Sequence, residues 1–280
     1  MKRLLYRICT VGLWPALLPV FWVALAAPAP ESFRFVILGD RTGEAAPGIY
    51  EQVWKRIAAE KPAFVVGVGD TIQGLNDATA EAEWRDANRL TPFRLPVYLA
   101  AGNHDIWSEQ SERLFTKYTG HPPHYSFDYG PAHFTMLDNS RTEELPAAEM
   151  AFLEADLKAH ASQPLKFIVS HQPSWLVNVL FNSPDFPLQR LAKKYGVQYV
   201  IAGHVHKMAH AEIDGVTYIS MPSAGGHLRD NAKYEDGWFF GYGVAEADAH
   251  GATIRIQELG GRSTSLAEWG KSGLLSAIPR

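Results

Sequence analysis

The stretch Val97-Tyr98-Leu99-Ala100-Ala101-Gly102-Asn103-His104-Asp105 decides the fold, because an apolar strand pattern runs directly into a short polar loop. Open α/β sheets place their chemistry in loops at the carboxyl ends of buried strands. Asn103 offers an amide oxygen that can bind a metal without adding charge, and His104 can carry a proton. Taken alone, the loop is also typical of an ordinary turn.

Other apolar strand patterns in the chain end in the same way. The residues that follow them are Gly39-Asp40, Gly69-Asp70, Ser170-His171 and Gly203-His204-Val205-His206. We expect His204 and His206 to lie on one face, because alternate residues of an extended segment point the same way. The repeated pattern indicates a functional site built from strand ends. The alternative is that these histidines only satisfy hydrogen bonds in the core.

This ordered set closely resembles the calcineurin-like metallophosphoesterase superfamily, which includes the purple acid phosphatases, from about Phe33 to about Leu259. The resemblance implies an α/β fold, a four-layer αββα sandwich of two mixed β-sheets flanked by helices. The hydrophobic patterns agree with it. Strand, helix and strand over 33–68 predict a parallel βαβ unit, and Asp214-Gly215 between two short strand patterns predicts a hairpin.

Further helices are predicted at 78–89, at 108–118 and from Pro146 onward, and further strands at 239–245 and 253–256. The connection after His171 contains several prolines. Trp175 and Phe181 in this connection are candidates for a lid over the substrate, the alternative being that they belong to the core.

The composition predicts one large domain. The chain has 280 residues, 46% of them hydrophobic, and a net charge of -4. The charge and the lack of a basic stripe argue against a partner nucleic acid. We expect a signal peptide at 1–27, the metallophosphoesterase domain at 31–260 and a C-terminal tail at 261–280.

The N-terminus has the pattern of an export signal. Basic residues at 2, 3 and 7 precede an apolar stretch, 8–27, which ends in Ala24-Leu25-Ala26-Ala27. We expect cleavage near Ala26 or Ala27, a periplasmic or secreted protein and no stable membrane association afterwards. An uncleaved membrane anchor is the alternative. The sole cysteine, Cys9, would be removed with the signal.

The resemblance also implies two divalent metal ions. Asp70 would bridge them, Asp40 and His206 would complete the first metal site, and Asn103, His171 and His204 the second. Carboxylate, amide and imidazole ligands suit Mn, Zn or Fe. A shared carboxylate would offset the repulsion between two neighbouring cations.

The first metal site departs from the family pattern. Many members have Asp-x-His in the first motif, where this chain has Asp40-Arg41-Thr42. The purple acid phosphatases have instead a tyrosine three residues after the bridging aspartate, where this chain has Gln73. Gln73 or a water molecule would then supply the missing ligand. We expect the first metal to bind more weakly than the second.

The chemistry implied is hydrolysis of a phosphoester by a metal-bound hydroxide. His104 would give a proton to the leaving group or steady the phosphate, and Asp105 would orient its ring or cap the turn. Arg41 is a candidate phosphate contact, with a surface ion pair to Glu44 as the alternative. His227 and Arg229 are weaker candidates for the pocket rim.

The sequence therefore predicts an exported metal-dependent phosphohydrolase acting on a small phosphomonoester or phosphodiester. A non-catalytic binding or scaffold protein with a degenerate first metal site is the alternative. A nuclease of the same superfamily fits the acidic composition less well.

Overall fold

Two six-stranded sheets make up the centre of the computed structural model, which describes residues 30–91, 95–181 and 183–269. The predicted signal peptide and Cys9 lie outside these residues. The strands of the described part are β1 (Ser32–Leu38), β2 (Phe64–Gly67), β3 (Val97–Leu99), β4 (Tyr125–Tyr129), β5 (Ala132–Met136), β6 (Leu165–Val169), β7 (Tyr199–Ala202), β8 (Ala209–Ile213), β9 (Val216–Ser220), β10 (Gly241–Asp248), β11 (Gly251–Glu258) and β12 (Ser263–Ser265).

Helices alternate with these strands along the chain. The α-helices of the described part are α1 (Ile49–Glu60), α2 (Asp77–Leu90), α3 (Glu109–Thr119), α4 (Ala147–Ala159), α5 (Leu176–Leu180), α6 (Pro187–Tyr195) and α7 (Leu266–Trp269). Among the described residues, no helix combines the length and apolar character that crossing a membrane requires.

Both sheets are mixed, as predicted. The first has the order β12-β11-β10-β1-β2-β3, and the second the order β4-β5-β6-β7-β9-β8. The strands β1, β2 and β3 run parallel, and so do β5, β6, β7 and β9. The carboxyl ends of parallel neighbours meet at one edge, which brings their loops together.

The two sheets pack face to face through aromatic side chains. Phe35 of β1 meets Phe134 of β5 edge-on at 5.2 Å between ring centroids, and Phe134 stacks on Phe167 of β6 at 4.6 Å. The other face of β1 presents Val36 and Leu38 to a separate buried cluster with α1. Because successive side chains of a strand point to opposite faces, β1 is buried on both sides. The four-layer αββα sandwich is confirmed.

The proline-containing connection after His171 forms helices that the sequence pattern did not predict. Pro187 starts α6, a position that its fixed φ and missing N–H suit, and Leu188 and Ala192 bury its inner face. Trp175 is fully buried against Tyr218, so the idea that it forms a lid is wrong. Phe181, by contrast, is 80% exposed.

The packed part of the chain continues past residue 260, the predicted end of the domain. The strand β12 pairs with β11, and Leu266 and Trp269 of α7 join the buried cluster between the sheets. The first residues of the predicted tail thus belong to the sandwich. The rest of the tail, 270–280, lies outside the described residues.

Candidate metal centre

Most of the predicted metal ligands converge in two overlapping groups. Asp70, His171 and His204 form one group, and Asp40, Asp70 and His206 form the other. Within each group, one possible ligand atom per residue lies within 4.8 Å of the others. Asp70 belongs to both, which is the position expected of a bridging carboxylate.

Asn103 joins the group around His171 and His204. Its Oδ1 lies 3.0 Å from His171 Nε2 and 2.9 Å from His204 Nδ1. Asp70 Oδ1 is 3.3 Å from the same His171 Nε2. An amide oxygen, a carboxylate oxygen and two imidazole nitrogens therefore face one another at distances that a single cation could span.

Backbone carbonyl groups fix the orientation of two of these histidines. His171 Nδ1 donates to the carbonyl of Val68 at 2.8 Å, and His206 Nδ1 donates to that of His227 at 2.7 Å. The Nε2 atom of each ring is then left to face the site, which is how metal-binding histidines are usually held. The carboxylate oxygen Oδ2 of Asp40 is buried and has no hydrogen-bond partner among the described residues. Oxygen and nitrogen atoms whose lone pairs face one another, together with a buried carboxylate oxygen that lacks a donor, form a site that fits divalent cations.

The electrostatics of the group also favour positive charge. Burial raises the pKa of Asp40, although His171 and His206 act against it. Burial alone would lower the pKa of His171, but the carboxylates of Asp70 and Asp40 outweigh burial and raise it to about 9. A proton on His171 thus supplies the charge that the carboxylates need, and a metal ion would supply it instead.

Three of the ligand residues have left-handed backbone conformations. The φ angles are 53° at Asp70, 68° at His204 and 54° at His206, so the segment that carries the two histidines is not extended as expected. Such values are uncommon for residues other than glycine and cluster at functional sites. Hydrogen bonds hold two of them, since His204 N–H donates to Asp40 Oδ1 at 2.8 Å and Asp70 Oδ1 accepts from the N–H of His104 at 2.9 Å.

Glycines allow the loops to approach these carboxylates. A Cβ atom at Gly102 would lie 2.2 Å from Asp70 Oδ1, and one at Gly203 would lie 2.6 Å from Asp40 Oδ2. Both distances are far below van der Waals contact. Only glycine leaves the two carboxylates in place.

His104 lies beside the centre. Its Nδ1 donates to the carbonyl of Gln73 at 2.6 Å, which leaves Nε2 for other contacts. A Cβ atom at Gly43 would lie 2.9 Å from Cε1 of the His206 ring and 4.0 Å from His104 Nε2. The two imidazoles therefore border the same space, with Nε2 of His104 facing it.

Asp105 contacts backbone groups and makes no hydrogen bond with the His104 ring. Its Oδ1 accepts from the N–H groups of Thr71 and Ile72 at 2.8 and 3.2 Å, and its Oδ2 accepts from that of Gly102 at 3.0 Å. Burial raises the pKa of Asp105 to about 7. Of its two predicted uses, the structure contains the turn contact. Asp105 joins the loops that carry Asp70 and Asn103.

Arg41 has other partners than those expected. Its guanidinium donates to the carbonyl of Thr71 at 2.9 Å and to Asp86 at 3.0 Å, and it lies over the ring of Tyr50. The ion pair is thus with Asp86 of α2 and not with Glu44. A direct phosphate contact would first require breaking it.

Gln73 is exposed and lies near the first motif. Its side-chain carbonyl oxygen accepts hydrogen bonds from the N–H of Glu44, at 3.2 Å, and from the hydroxyl of Thr42. Two donors therefore already occupy the oxygen that would have to bind the first metal.

Asn139 is a positioning residue that sequence reasoning missed. Its Oδ1 accepts from the N–H groups of His171 and Gln172, both at 3.0 Å, and its Nδ2 donates to the carbonyl of Gln172 at 2.8 Å. Asn139 follows β5 as the predicted ligands follow their strands. A polar residue after an apolar strand was the signal that could have identified it.

The backbone of the loop 222–227 also contributes to the site, which the sequence pattern did not indicate. The N–H groups of Ala224 and Gly226 donate to the carbonyl of Asp40 at 2.9 and 3.2 Å, and Ser223 Oγ donates to the carbonyl of Gly226 at 2.6 Å. His227 acts on His206 through its backbone carbonyl, while its ring is half-exposed. Arg229 lies over the ring of Trp238, at 5.2 Å.

Comparison with known proteins gives relatives with phosphatase and phosphodiesterase names. Serine/threonine-protein phosphatase CPPED1 from Danio rerio is 24% identical over 196 residues, which cover 61% of this chain and 62% of that protein. The 3',5'-cyclic adenosine monophosphate phosphodiesterase CpdA from Haemophilus influenzae is 22% identical over 200 residues, 66% of this chain and 70% of that protein. This chain thus spans less than two thirds of the length of the first relative.

A solved structure supports the fold. Purple acid phosphatase PPD1 from yellow lupin (Lupinus luteus) seeds superposes with a TM-score of 0.64 at 18% identity, covering 85% of this chain and 54% of that one. The family model for calcineurin-like phosphoesterases matches residues 33–208, which contain all the predicted ligands. With this match over more than half of its length, the chain belongs to the calcineurin-like phosphoesterase family.

Proposed function

We propose that the protein is an exported, metal-dependent phosphohydrolase that cleaves a small phosphomonoester or phosphodiester. The observation that carries the proposal is the sharing of Asp70 by two ligand groups whose lone pairs converge. A purely structural cluster would place hydrogen-bond donors between such acceptors. Within the described part of the chain, Asp40 Oδ2 is buried without such a donor.

The ligands divide between two ions as the sequence predicts. Asp40, Asp70 and His206 would hold the first, and Asp70, Asn103, His171 and His204 the second. When bound, two such ions activate water as a nucleophile near neutral pH and stabilise the charge that develops on the phosphoryl oxygens. Mn, Zn and Fe match these ligand types.

His104 supplies the proton that the leaving group needs. Its Nδ1–H is held by the carbonyl of Gln73, so a second proton on Nε2 would face the space next to His206. General acids of this kind typically contribute about 10²–10⁴-fold to rate. Asp105 acts through the backbone, because it holds the N–H groups of Thr71 and Gly102, the chain neighbours of Asp70 and Asn103.

Export and substrate rest on different observations. The basic start, apolar stretch and Ala-Leu-Ala-Ala ending support cleavage near Ala26 or Ala27 and a periplasmic or secreted location. Mass spectrometry of the exported protein would test this, and an intact N-terminus would favour an anchor. The relatives' names include both a phosphatase and a phosphodiesterase, so both ester classes belong to the proposal.

One observation favours the rival, a binding or scaffold protein. Neither position 42 nor position 73 has the extra first-site ligand of the catalytic relatives. The retained bridging carboxylate, the remaining ligands and the proton donor favour the enzyme.

The test is hydrolysis of p-nitrophenyl phosphate and bis-p-nitrophenyl phosphate by the metal-stripped chain, with Mn, Zn, Fe or Co added back. Asp70→Asn removes the bridging charge with little change of shape, and Asp248→Asn, on β10, is the matched control. We expect metal-dependent turnover that Asp70→Asn abolishes and Asp248→Asn retains. A folded chain with no turnover on either substrate with any metal would support the rival.

A further inference from the structure

A second cluster of metal-ligating side chains lies away from the catalytic centre. Asp128 of β4, His133 of β5 and His160 after α4 each offer a ligand atom within 4.8 Å of the other two. His133 stands near the start of β5, whereas His171 and His204 follow the ends of the parallel neighbours β6 and β7. The cluster is therefore at the opposite edge of the second sheet.

Asp156 of α4 orients both imidazoles. Its Oδ2 accepts from His133 Nε2 at 2.9 Å, and its backbone carbonyl accepts from His160 Nδ1 at 2.9 Å. The hydroxyls of Thr135 and Ser126 in turn donate to the Asp156 carboxylate at 2.7 and 2.8 Å. A histidine whose second ring N–H is held by a carboxylate or a carbonyl is arranged as metal ligands usually are.

The remaining ring nitrogen of His133 faces a carboxylate. His133 Nδ1 and Asp128 Oδ1 are 2.7 Å apart, and with Nε2–H donating to Asp156 both atoms present lone pairs. A proton bridges the two atoms at this distance, and a metal ion would take its place with the two atoms further apart. The buried His133 is reached from solvent past Asp128 and His160, whose side chains are 44% and 33% exposed.

We propose that Asp128, His133 and His160 form a peripheral site for one transition-metal ion, with Zn²⁺ as the expected occupant and Asp156 as the orienting residue. Two imidazoles and one carboxylate favour Zn²⁺ over Mg²⁺ or Ca²⁺. The rings of His133 and His160 stack with their centroids 3.9 Å apart, which keeps both imidazoles beside Asp128. The site does not depend on the proposed phosphoester chemistry.

The experiment counts Zn²⁺ ions on the full chain in which Asp70→Asn has weakened the catalytic centre. Isothermal titration and metal analysis after gel filtration should find one bound Zn²⁺ ion. Asp128→Asn and His160→Gln should each lower the affinity for this ion by at least about tenfold. Both side chains are partly exposed, so these variants should fold. His250→Gln, on the exposed β10–β11 turn, is the matched control and should leave affinity unchanged.

A second variant tests the orienting role. Asp156→Asn should lower the affinity for the same Zn²⁺ ion by about 10–100-fold, although Asp128 and His160 are still present. The proposal is overturned if the Asp70→Asn chain binds no Zn²⁺ that responds to Asp128→Asn or His160→Gln. His133 would then be an imidazolium bridging two carboxylates, with a proton where the metal was inferred.

Discussion

The hydroxyl of Thr42 donates a hydrogen bond to the side-chain carbonyl oxygen of Gln73 across 2.5 Å. The family resemblance implies an additional first-site ligand at one of these two positions, a histidine at the first or a tyrosine at the second. In this chain the side chains of Thr42 and Gln73 form a hydrogen bond with each other, and Thr42 is almost fully buried. The proposed first site would thus consist of Asp40, Asp70 and His206.

A charged oxygen at position 73 should strengthen the first site. Gln73→Glu keeps the shape of the side chain and adds a carboxylate beside Thr42. We expect the first metal to be retained about tenfold better on dialysis, as metal content would show. Gln52→Glu, an exposed change on α1, should have no effect. Two ions held tightly by the unmodified chain would contradict the weaker first site.

Removing the proton donor should separate catalysis from metal binding. His104→Gln should lower turnover of an alkyl phosphate by about 10²–10⁴-fold, because the poor leaving group needs a proton. Metal content should stay the same, since the backbone N–H of His104 and not its ring contacts Asp70. His250→Gln serves as the control. Loss of metal would instead make His104 a ligand.

A methyl group at position 102 should disturb the bridging carboxylate. The Cβ of Gly102→Ala would lie 2.2 Å from Asp70 Oδ1 and 2.3 Å from Asp70 N, so the loops must separate. We expect turnover and metal retention to fall together by more than about tenfold, with circular dichroism unchanged. Gly260→Ala, whose Cβ would meet no atom of the described residues within 4 Å, should behave as the unmodified chain.

Arg41 can be tested through its partner. If its role is to tie the first motif to α2, Asp86→Asn should reproduce the effect of Arg41→Gln, a fall in kcat/KM of less than about tenfold. If Arg41 binds phosphate, Arg41→Gln should raise KM far more than Asp86→Asn does. Steady-state kinetics of both variants on p-nitrophenyl phosphate distinguish the two roles.

Acid should destabilise the contact between β8 and α7. His210 of β8 is partly buried, its two ring nitrogens are buried with no hydrogen-bond partner among the described residues, and this burial lowers its pKa. The unfolded chain therefore binds the proton more readily, so stability falls as pH drops below the ordinary histidine pKa of about 6.5. His210→Leu should lose less Tm between pH 7 and pH 5 than the unmodified chain. Equal losses would show that His210 does not titrate on unfolding.

The sequence predicted what depends on local pattern. Apolar runs ending in ligand-type residues located Asp40, Asp70, Asn103, His171, His204 and His206, because strand periodicity and strand-end polarity are local signals. The helix α6 was missed because the prolines around it indicate loops, although Pro187 occupies a favoured first position. The partner of Arg41 could not be predicted, since Asp86 is 45 residues away and the choice depends on packing.

Backbone contacts between distant segments were also beyond sequence reasoning. The loop 222–227 contributes carbonyl and N–H groups to Asp40 and His206, and any residue type carries such groups. The sequence offered only the side chains of His227 and Arg229 in this loop as candidates for the pocket rim. What distinguishes the loop is the strand β9, which brings it to the first motif.

The hydrogen bond from His206 Nδ1 to the carbonyl of His227 limits how far this chain can be truncated. The region matched by the family, 33–208, contains every proposed ligand, yet the group that sets the tautomer of His206 lies beyond it. A chain shortened to that region would keep the ligands and lose control of which imidazole nitrogen meets the ion. The minimal catalytic unit therefore includes the β8–β9 hairpin and the loop after it, although none of those residues need bind the ions of the catalytic centre.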